Sequence, residues 1–395
     1  MPHEGPAGSR LTDSGELLVG LVVIWLAAKL GGEGLERVGQ PAVLGELLAG
    51  ILIGPGVLGL VHLSPVFMAL AEVGVVLLLF EIGLESDLEE LLRAGLQSTV
   101  VAAVGVLCPL ALGFGLASLW GMPTLPAVFI GATLTATSVG ITARVLSDLG
   151  RLQDPAAQVV LGAAVVDDVL GLALLAVVSG LAATGTLSMA GAGLILAKAI
   201  TFLVLAIGLG IRYSPVLLAW VGQMRVRGSL IVYAIVFCVL LAAAAERSGL
   251  AAIIGAFAAG LILAKTERRA HIEEQIKPVA DLFVPIFFVA VGMQVQPALL
   301  NPVARSSAGL PLSLALTSVA IGSKLLAGLG VYQRGVDRWR VGVGMIPRGE
   351  VGLIFAGIGK ATGTIGEGVY AAIVAMVVVT TLVAPPWLKA LYREA

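Results

Sequence analysis

"LGAAVVDDVLGLALLAVV", residues 161–178, reads as an apolar, membrane-crossing helix but for two adjacent carboxylates, Asp167 and Asp168. A charge at the bilayer centre costs about 2.5–3.5 kcal/mol on insertion scales, so such a residue is kept where it faces a cavity or a partner. Composition decides whether the setting is a membrane. Of the 395 residues, 58% are hydrophobic and 12% charged, and mean hydropathy is +1.03. Soluble domains run at about 45–50% apolar and about 25% charged. The expected fold class is therefore an all-α polytopic membrane protein. A net charge of −1 gives no ground for a nucleic-acid partner. Cys108 and Cys238 lie in apolar runs as small hydrophobes, so neither a disulfide framework nor a redox role is expected. The N-terminal residues are mixed in charge and lack an evident small-residue cleavage site, so the first helix reads as retained and not as a signal peptide.

A transmembrane helix needs about 20 mostly apolar residues. Charged and Pro/Gly-rich breaks divide the chain into thirteen candidates: 15–32, 41–60, 66–84, 96–119, 125–146, 155–183, 190–211, 228–246, 250–265, 278–295, 310–333, 339–361 and 368–388. Sixteen Lys and Arg fall in the connections that follow odd-numbered segments, against four on the other side: Arg10, Arg247, Arg305 and Lys360. Because basic residues gather in cytoplasmic loops, the N-terminus is expected outside and the C-terminus in the cytoplasm.

Four basic residues remain within segments: Lys29, Lys198, Lys324 and Arg348. Asp167 stands twelve residues into its segment, roughly 18 Å deep at 1.5 Å per residue. Lys324, in "LTSVAIGSKLLAGLG" at 316–330, is at a similar depth and is the natural partner for one aspartate. Consecutive helical residues point about 100° apart, so the other aspartate is expected to face a water-filled cavity. A purely stabilising cluster of all three is the weaker reading, since buried ion pairs contribute little net stability.

Two segments carry signals for interrupted helices. "GATLTATSVGITAR", 131–144, crowds four threonines and a serine mid-span, and in "VGVGMIPRGEVG", 341–352, Pro347 stands among four glycines. Unwound backbone at membrane depth is tolerated where it lines a cavity or is buried in protein. These are the fifth and twelfth segments, seven apart, and therefore cross in opposite directions. That is the arrangement of two inverted six-helix repeats with discontinuous helices crossing at the midplane, a pointer to a transport site. On this reading an ion-transport core comprises 96–183 and 310–388, a scaffold or dimerisation part comprises 15–84 and 228–295, and 190–211 is a linker helix.

"LLFEIGLE" at 78–85, "ATSVGITARVL" at 136–146, "AAVVDDVLGL" at 163–172 and "GMIPRGEVGLI" at 344–354 are similar to signatures of bacterial sodium/proton antiporters in the monovalent cation:proton antiporter superfamily. The resemblance covers nearly the whole chain. It implies a secondary active transporter, not an enzyme, that exchanges Na⁺ or Li⁺ for H⁺ across the inner membrane by alternating access, as a homodimer among membrane lipids and without a cofactor. It makes Asp168 the carboxylate that holds the transported Na⁺ or the proton, and Asp167 its neighbour, paired with a proton-coupled Lys324. Thr137, Ser138 and nearby carbonyls line the site, and Arg348, Glu350 and Pro347 organise the core. Exchange of two protons per sodium, and hence electrogenic transport, is the family expectation for a double-aspartate motif.

K⁺/H⁺ antiport and an uncoupled cation channel are the alternatives. The first is expected to be the weaker: about seven residues follow the last expected helix, so a nucleotide-binding domain of the kind typical of potassium-efflux relatives is not expected. An intramembrane aspartyl protease needs its two aspartates from different elements, and a DDxxD prenyltransferase motif fails at Gly171. A non-transporting sensor has no feature in its favour. "GILIG" at 50–54 is a weak candidate for helix contact across a dimer. His62, His271 and the stretch "KTERRAHIEEQIK" at 265–277 are expected in loops.

Overall fold

The computed structural model describes residues 7–184, 189–221, 223–294 and 309–393. Among these residues the chain is helical throughout: α1 (Ala7–Arg37), α2 (Ala42–Ile53), α3 (Pro65–Glu85), α4 (Leu88–Leu119), α5 (Thr124–Thr133), α6 (Val139–Asp148), α7 (Pro155–Thr184), α8 (Met189–Val221), α9 (Ser229–Arg247), α10 (Ala252–Ala264), α11 (Arg269–Met293), α12 (Gly309–Ala327), α13 (Arg338–Gly344), α14 (Glu350–Ala361) and α15 (Glu367–Arg393). Nine of the described helices are long and apolar enough to cross a membrane. Every segment expected from the sequence overlaps a helix or a pair of half-helices.

Three expectations change. Helix α2 ends at Ile53, short of residue 60, because Gly54 turns extended and Pro55 cannot continue a helix. With 12 residues in α2 and 13 in α10, these two reach only about 18–20 Å. Finally, 269–277 is the start of α11 and not a loop, so His271 is helical, while His62 does lie in a connection. The charges of "RRAHIEEQIK" sit at helical spacing and pair there, as Lys277 does with Glu273 at 2.7 Å.

Local chemistry places the helix starts. Asp154 Oδ1 accepts from the Ala156 N–H at 2.8 Å, with Pro155 as the first residue of α7, where a missing N–H costs nothing. Asp87 caps α4 by accepting from Glu89 N, and Asp337 caps α13 by accepting from Trp339 N and Arg340 N.

The chain divides into two compact units. The first comprises the chain up to Gly74 with 281–298. Here "GILIG" serves contact within the chain: a Cβ on Gly50 would come 3.0 Å from Gly292 Cα, and one on Gly54 3.0 Å from Met293 Cα. Gly50→Val should therefore force α2 off α11, at a cost of about 1–3 kcal/mol or more. The expected result is a marked fall in monodisperse protein recovered in detergent, measured by size-exclusion chromatography.

The second unit comprises 75–280 and 299–395. In it α4 packs on α5, α7 and α12, α12 packs on α15, and α5 packs on α14. Two apolar clusters form. One gathers Phe129, Ile130, Val178, Leu316, Phe355 and Met376; the other gathers Val101, Val159, Ala163, Ala327, Val341 and Met345. Along α7 the second cluster comes before Asp167 and the first after it. Along α12 the first comes before Lys324 and the second after it. The charged residues thus occupy a layer closed by apolar packing at both ends.

Candidate functional site

Both interrupted helices are present. Residues 134–138 separate α5 from α6, and residues 345–349 separate α13 from α14. In the first break, hydroxyls compete with the helical ladder: Thr133 Oγ1 donates to Phe129 O and Thr135 Oγ1 to Ala132 O, each at 2.8 Å. In the second, Pro347 has no N–H and drives Ile346 away from helical backbone.

The two breaks touch. The Ser138 N–H donates to Pro347 O at 2.8 Å, and Thr142 Oγ1 donates to Gly344 O at 2.6 Å. A Cβ on Gly349 would come 2.9 Å from Ser138 Oγ, so glycine permits this approach. Four half-helix ends meet here, two with orphan carbonyls and two with orphan N–H groups.

Arg348 stitches these ends together. Its side chain is 1% exposed, donating from Nη1 to Ala136 O at 2.8 Å and from Nη2 to Ala320 O at 3.1 Å. It thus satisfies a carbonyl in the first break and another one turn before Lys324. The carbonyl of Arg348 accepts from Thr381 Oγ1 at 2.7 Å, tying the second break to α15. Thr381→Val keeps the shape but orphans that carbonyl, a cost of about 1–3 kcal/mol, and should lower the melting temperature in detergent. Glu350 opens α14, but its side chain lies outside the described residues.

The aspartates diverge. Asp167 turns to α12, where Lys324 Nζ donates to its Oδ2 at 3.3 Å, both groups being buried. A Cβ on Gly105 would come 3.4 Å from that Nζ, so the glycine leaves room for the ammonium. Asp168 lines a crevice of about 10 Å³ with Leu79, Val139, Leu161, Val165, Ile253 and Phe257, the room of roughly one water molecule. Both aspartates, and Arg348 with opposite effect, act electrostatically on Lys324.

Two further oxygens stand out. Asp167 Oδ1 and Thr137 Oγ1 are buried without a hydrogen-bond partner, and buried polar atoms in that condition call for an explanation. Ser138 is half-buried and Pro347 buried. Every site residue expected from the sequence, Glu350's side chain aside, therefore belongs to one neighbourhood of broken backbone and buried charge. The carbonyl of Ala136 falls among those expected beside Thr137, while Thr142, Thr381, Gly105 and the carbonyl of Ala320 were not foreseen. Thr142 lay within the threonine-rich stretch, the one signal that pointed to it.

Residues 21–394 match the family described as sodium/hydrogen exchanger, transmembrane. The high-affinity Na⁺/H⁺ antiporter NhaS3 of Synechocystis is 44% identical over 96% of this chain and 90% of its own. The Na⁺/H⁺-K⁺ antiporter GerN of Bacillus cereus is 37% identical over 95% of this chain and 96% of its own. The solved structure of the sodium proton antiporter MjNhaP1 from Methanocaldococcus jannaschii aligns with a TM-score of 0.65 at 18% identity, covering 96% of this chain and 97% of that one. It shares the fold.

Proposed function

The chain belongs to the sodium/hydrogen exchanger family, and on that premise we propose that it exchanges Na⁺ or Li⁺ for H⁺ across the cell membrane by alternating access, moving two protons per sodium. The observation that carries this reading is the buried Lys324–Asp167 pair beside the crossed helix breaks, with Asp168 turned to a separate crevice. Na⁺ is a hard cation that takes oxygen ligands. Asp168, Asp167 Oδ1, Thr137 Oγ1, Ser138 and the carbonyls of the first break supply oxygen and nothing softer.

Charge arithmetic gives the coupling. Lys324 and Arg348 against Asp167 and Asp168 sum to zero when all four are ionised. Asp168 holds either a proton or Na⁺, never both, so each cargo raises the site by one charge. Where Na⁺ displaces Asp167 from Lys324, the lysine sheds its proton and the loaded site returns to zero. The proton-loaded site then carries one more positive charge than the sodium-loaded one, and each cycle moves net charge. Asp168 and Asp167 change cargo, while Arg348 and Pro347, with Glu350, hold the breaks.

Residues 96–183 and 310–388 form the moving core, 15–84 and 228–295 the scaffold of a homodimer, and 190–211 the linker; the two halves are inverted repeats. The bias of basic residues supports a cytoplasmic C-terminus. K⁺/H⁺ exchange is the second reading, favoured by the K⁺ in the name of the Bacillus cereus relative. The test is proton flux in sealed proteoliposomes with an internal pH dye, adding Na⁺, Li⁺ or K⁺ at clamped and unclamped voltage. Proton movement driven by Na⁺ or Li⁺ and steepened by voltage is expected. A response to K⁺ alone supports the second reading, and cation movement without proton movement means a channel.

A further inference from the structure

Helix α8 carries an apolar span, Gly193–Leu218, whose 18-residue apolar window is only 6% buried within the protein. Along it runs a groove of about 1020 Å³, closed on one side by Phe237, Leu241 and Ala244 of α9. Gly210 lets α8 lie directly on Ile262 of α10. The α8 wall is apolar at Leu194, Leu205 and Leu209.

Two cations break this pattern toward one end. Lys198 and Arg247 both line the groove, with Thr201 alongside. The helices are antiparallel neighbours: counting back from the α8–α9 connection, Arg247 stands 18 residues into α9, about 27 Å along it, and so beside residue 203 of α8, close to Lys198. Lys198 is five residues inside the apolar span, roughly 7.5 Å deep, where a lysine reaches along its stem toward the interface. Among the described residues neither cation makes an ion pair, and Glu246, next in sequence to Arg247, does not line the groove.

We propose that this groove holds an anionic phospholipid, its phosphate between Lys198 and Arg247 and one acyl chain along the apolar wall of α8. The chemistry needs an anion at one end and hydrocarbon along the rest, over roughly 24 Å from Lys198 to Ser214, most of a hydrocarbon core of about 30 Å. A second copy of the chain fits less well, because a two-fold contact through the groove would bring the same cations toward each other. The proposal rests on α8 facing lipid and not on the transport reading.

The experiment is native mass spectrometry of the full chain in a neutral detergent, titrated with phosphatidylglycerol, phosphatidylcholine or inorganic phosphate, with melting temperature as a second readout. Phosphatidylglycerol should be retained and should raise the melting temperature, while phosphatidylcholine binds more weakly and phosphate alone does neither. The Lys198→Gln/Arg247→Gln double variant should bind phosphatidylglycerol about 30-fold more weakly, the discrimination two cations supply at a lipid surface, with its phosphatidylcholine binding unchanged. Lys198→Arg, which keeps the charge, should bind as wild type, and Leu205→Trp, which fills the groove, should lose the lipid. Asp168→Asn should bind it as wild type does, separating this proposal from the transport site. Equal retention of both lipids, or undiminished phosphatidylglycerol binding by the double variant, overturns it. So does a dimer that dissociates in the double variant with no change in lipid binding, which would assign the groove to a second copy.

Discussion

Asp168→Asn should reduce Na⁺-driven proton flux in proteoliposomes to the level of empty vesicles. The side chains are nearly isosteric, so the crevice with Leu79, Val139 and Phe257 keeps its shape. What goes is the negative charge for which, on the proposed reading, proton and cation compete. An amide neither takes up a proton near neutral pH nor offers a carboxylate to Na⁺, so neither half of the exchange has a carrier. The variant is expected to insert and fold, because the amide keeps the carboxylate's shape and the Lys324–Asp167 pair stays in place. Unchanged elution in detergent and unchanged melting temperature would show that. Coupled flux by well-folded Asp168→Asn would move the carrier role elsewhere, with Asp167 the next candidate. Asp168→Glu should retain partial flux with weaker apparent Na⁺ affinity, since the charge survives and one added methylene displaces it.

Membrane-helix architecture was legible from hydropathy, because a bilayer imposes length and polarity on each span independently of its neighbours. The breaks were legible for a related reason. Proline and crowded threonines act on backbone within a few residues, and both interruptions fell inside the stretches that carried these signals. The divergence of the aspartates followed from helix geometry alone. What the sequence hid is relational. Arg348 bonds to carbonyls of Ala136 and Ala320, and any residue type offers a carbonyl. Gly105 makes room for Lys324, yet it is one of 51 glycines. Thr381 on α15 reaches the second break from a stretch with no local mark of a site. The start of α11 was misplaced because charge was read as loop, although the charges pair along one helix.

The Lys324–Asp167 pair sets the second large expectation, for stability and for voltage dependence together. Asp167→Asn leaves a fully buried ammonium without its carboxylate, and breaking a buried pair by removing one partner costs about 3–5 kcal/mol. A marked fall in melting temperature follows. Lys324→Met alone leaves Asp167 without its hydrogen-bonded cation, with a similar loss. The double variant Asp167→Asn/Lys324→Met removes both charges and should recover most of the stability, because a buried pair replaced by groups of similar volume is often neutral. That non-additivity is the signature of direct contact and is read by three melting curves against wild type. On the proposed coupling the double variant also keeps Asp168 and loses the lysine proton from the cycle, so exchange should become one proton for one sodium. Its flux should persist at reduced rate and no longer respond to a clamped voltage. If the double variant stays voltage-sensitive, the second proton travels on another group. If its stability is the sum of the two single losses, the 3.3 Å contact is not what holds α7 to α12, and their packing through Val101, Ala163 and Ala327 takes that role.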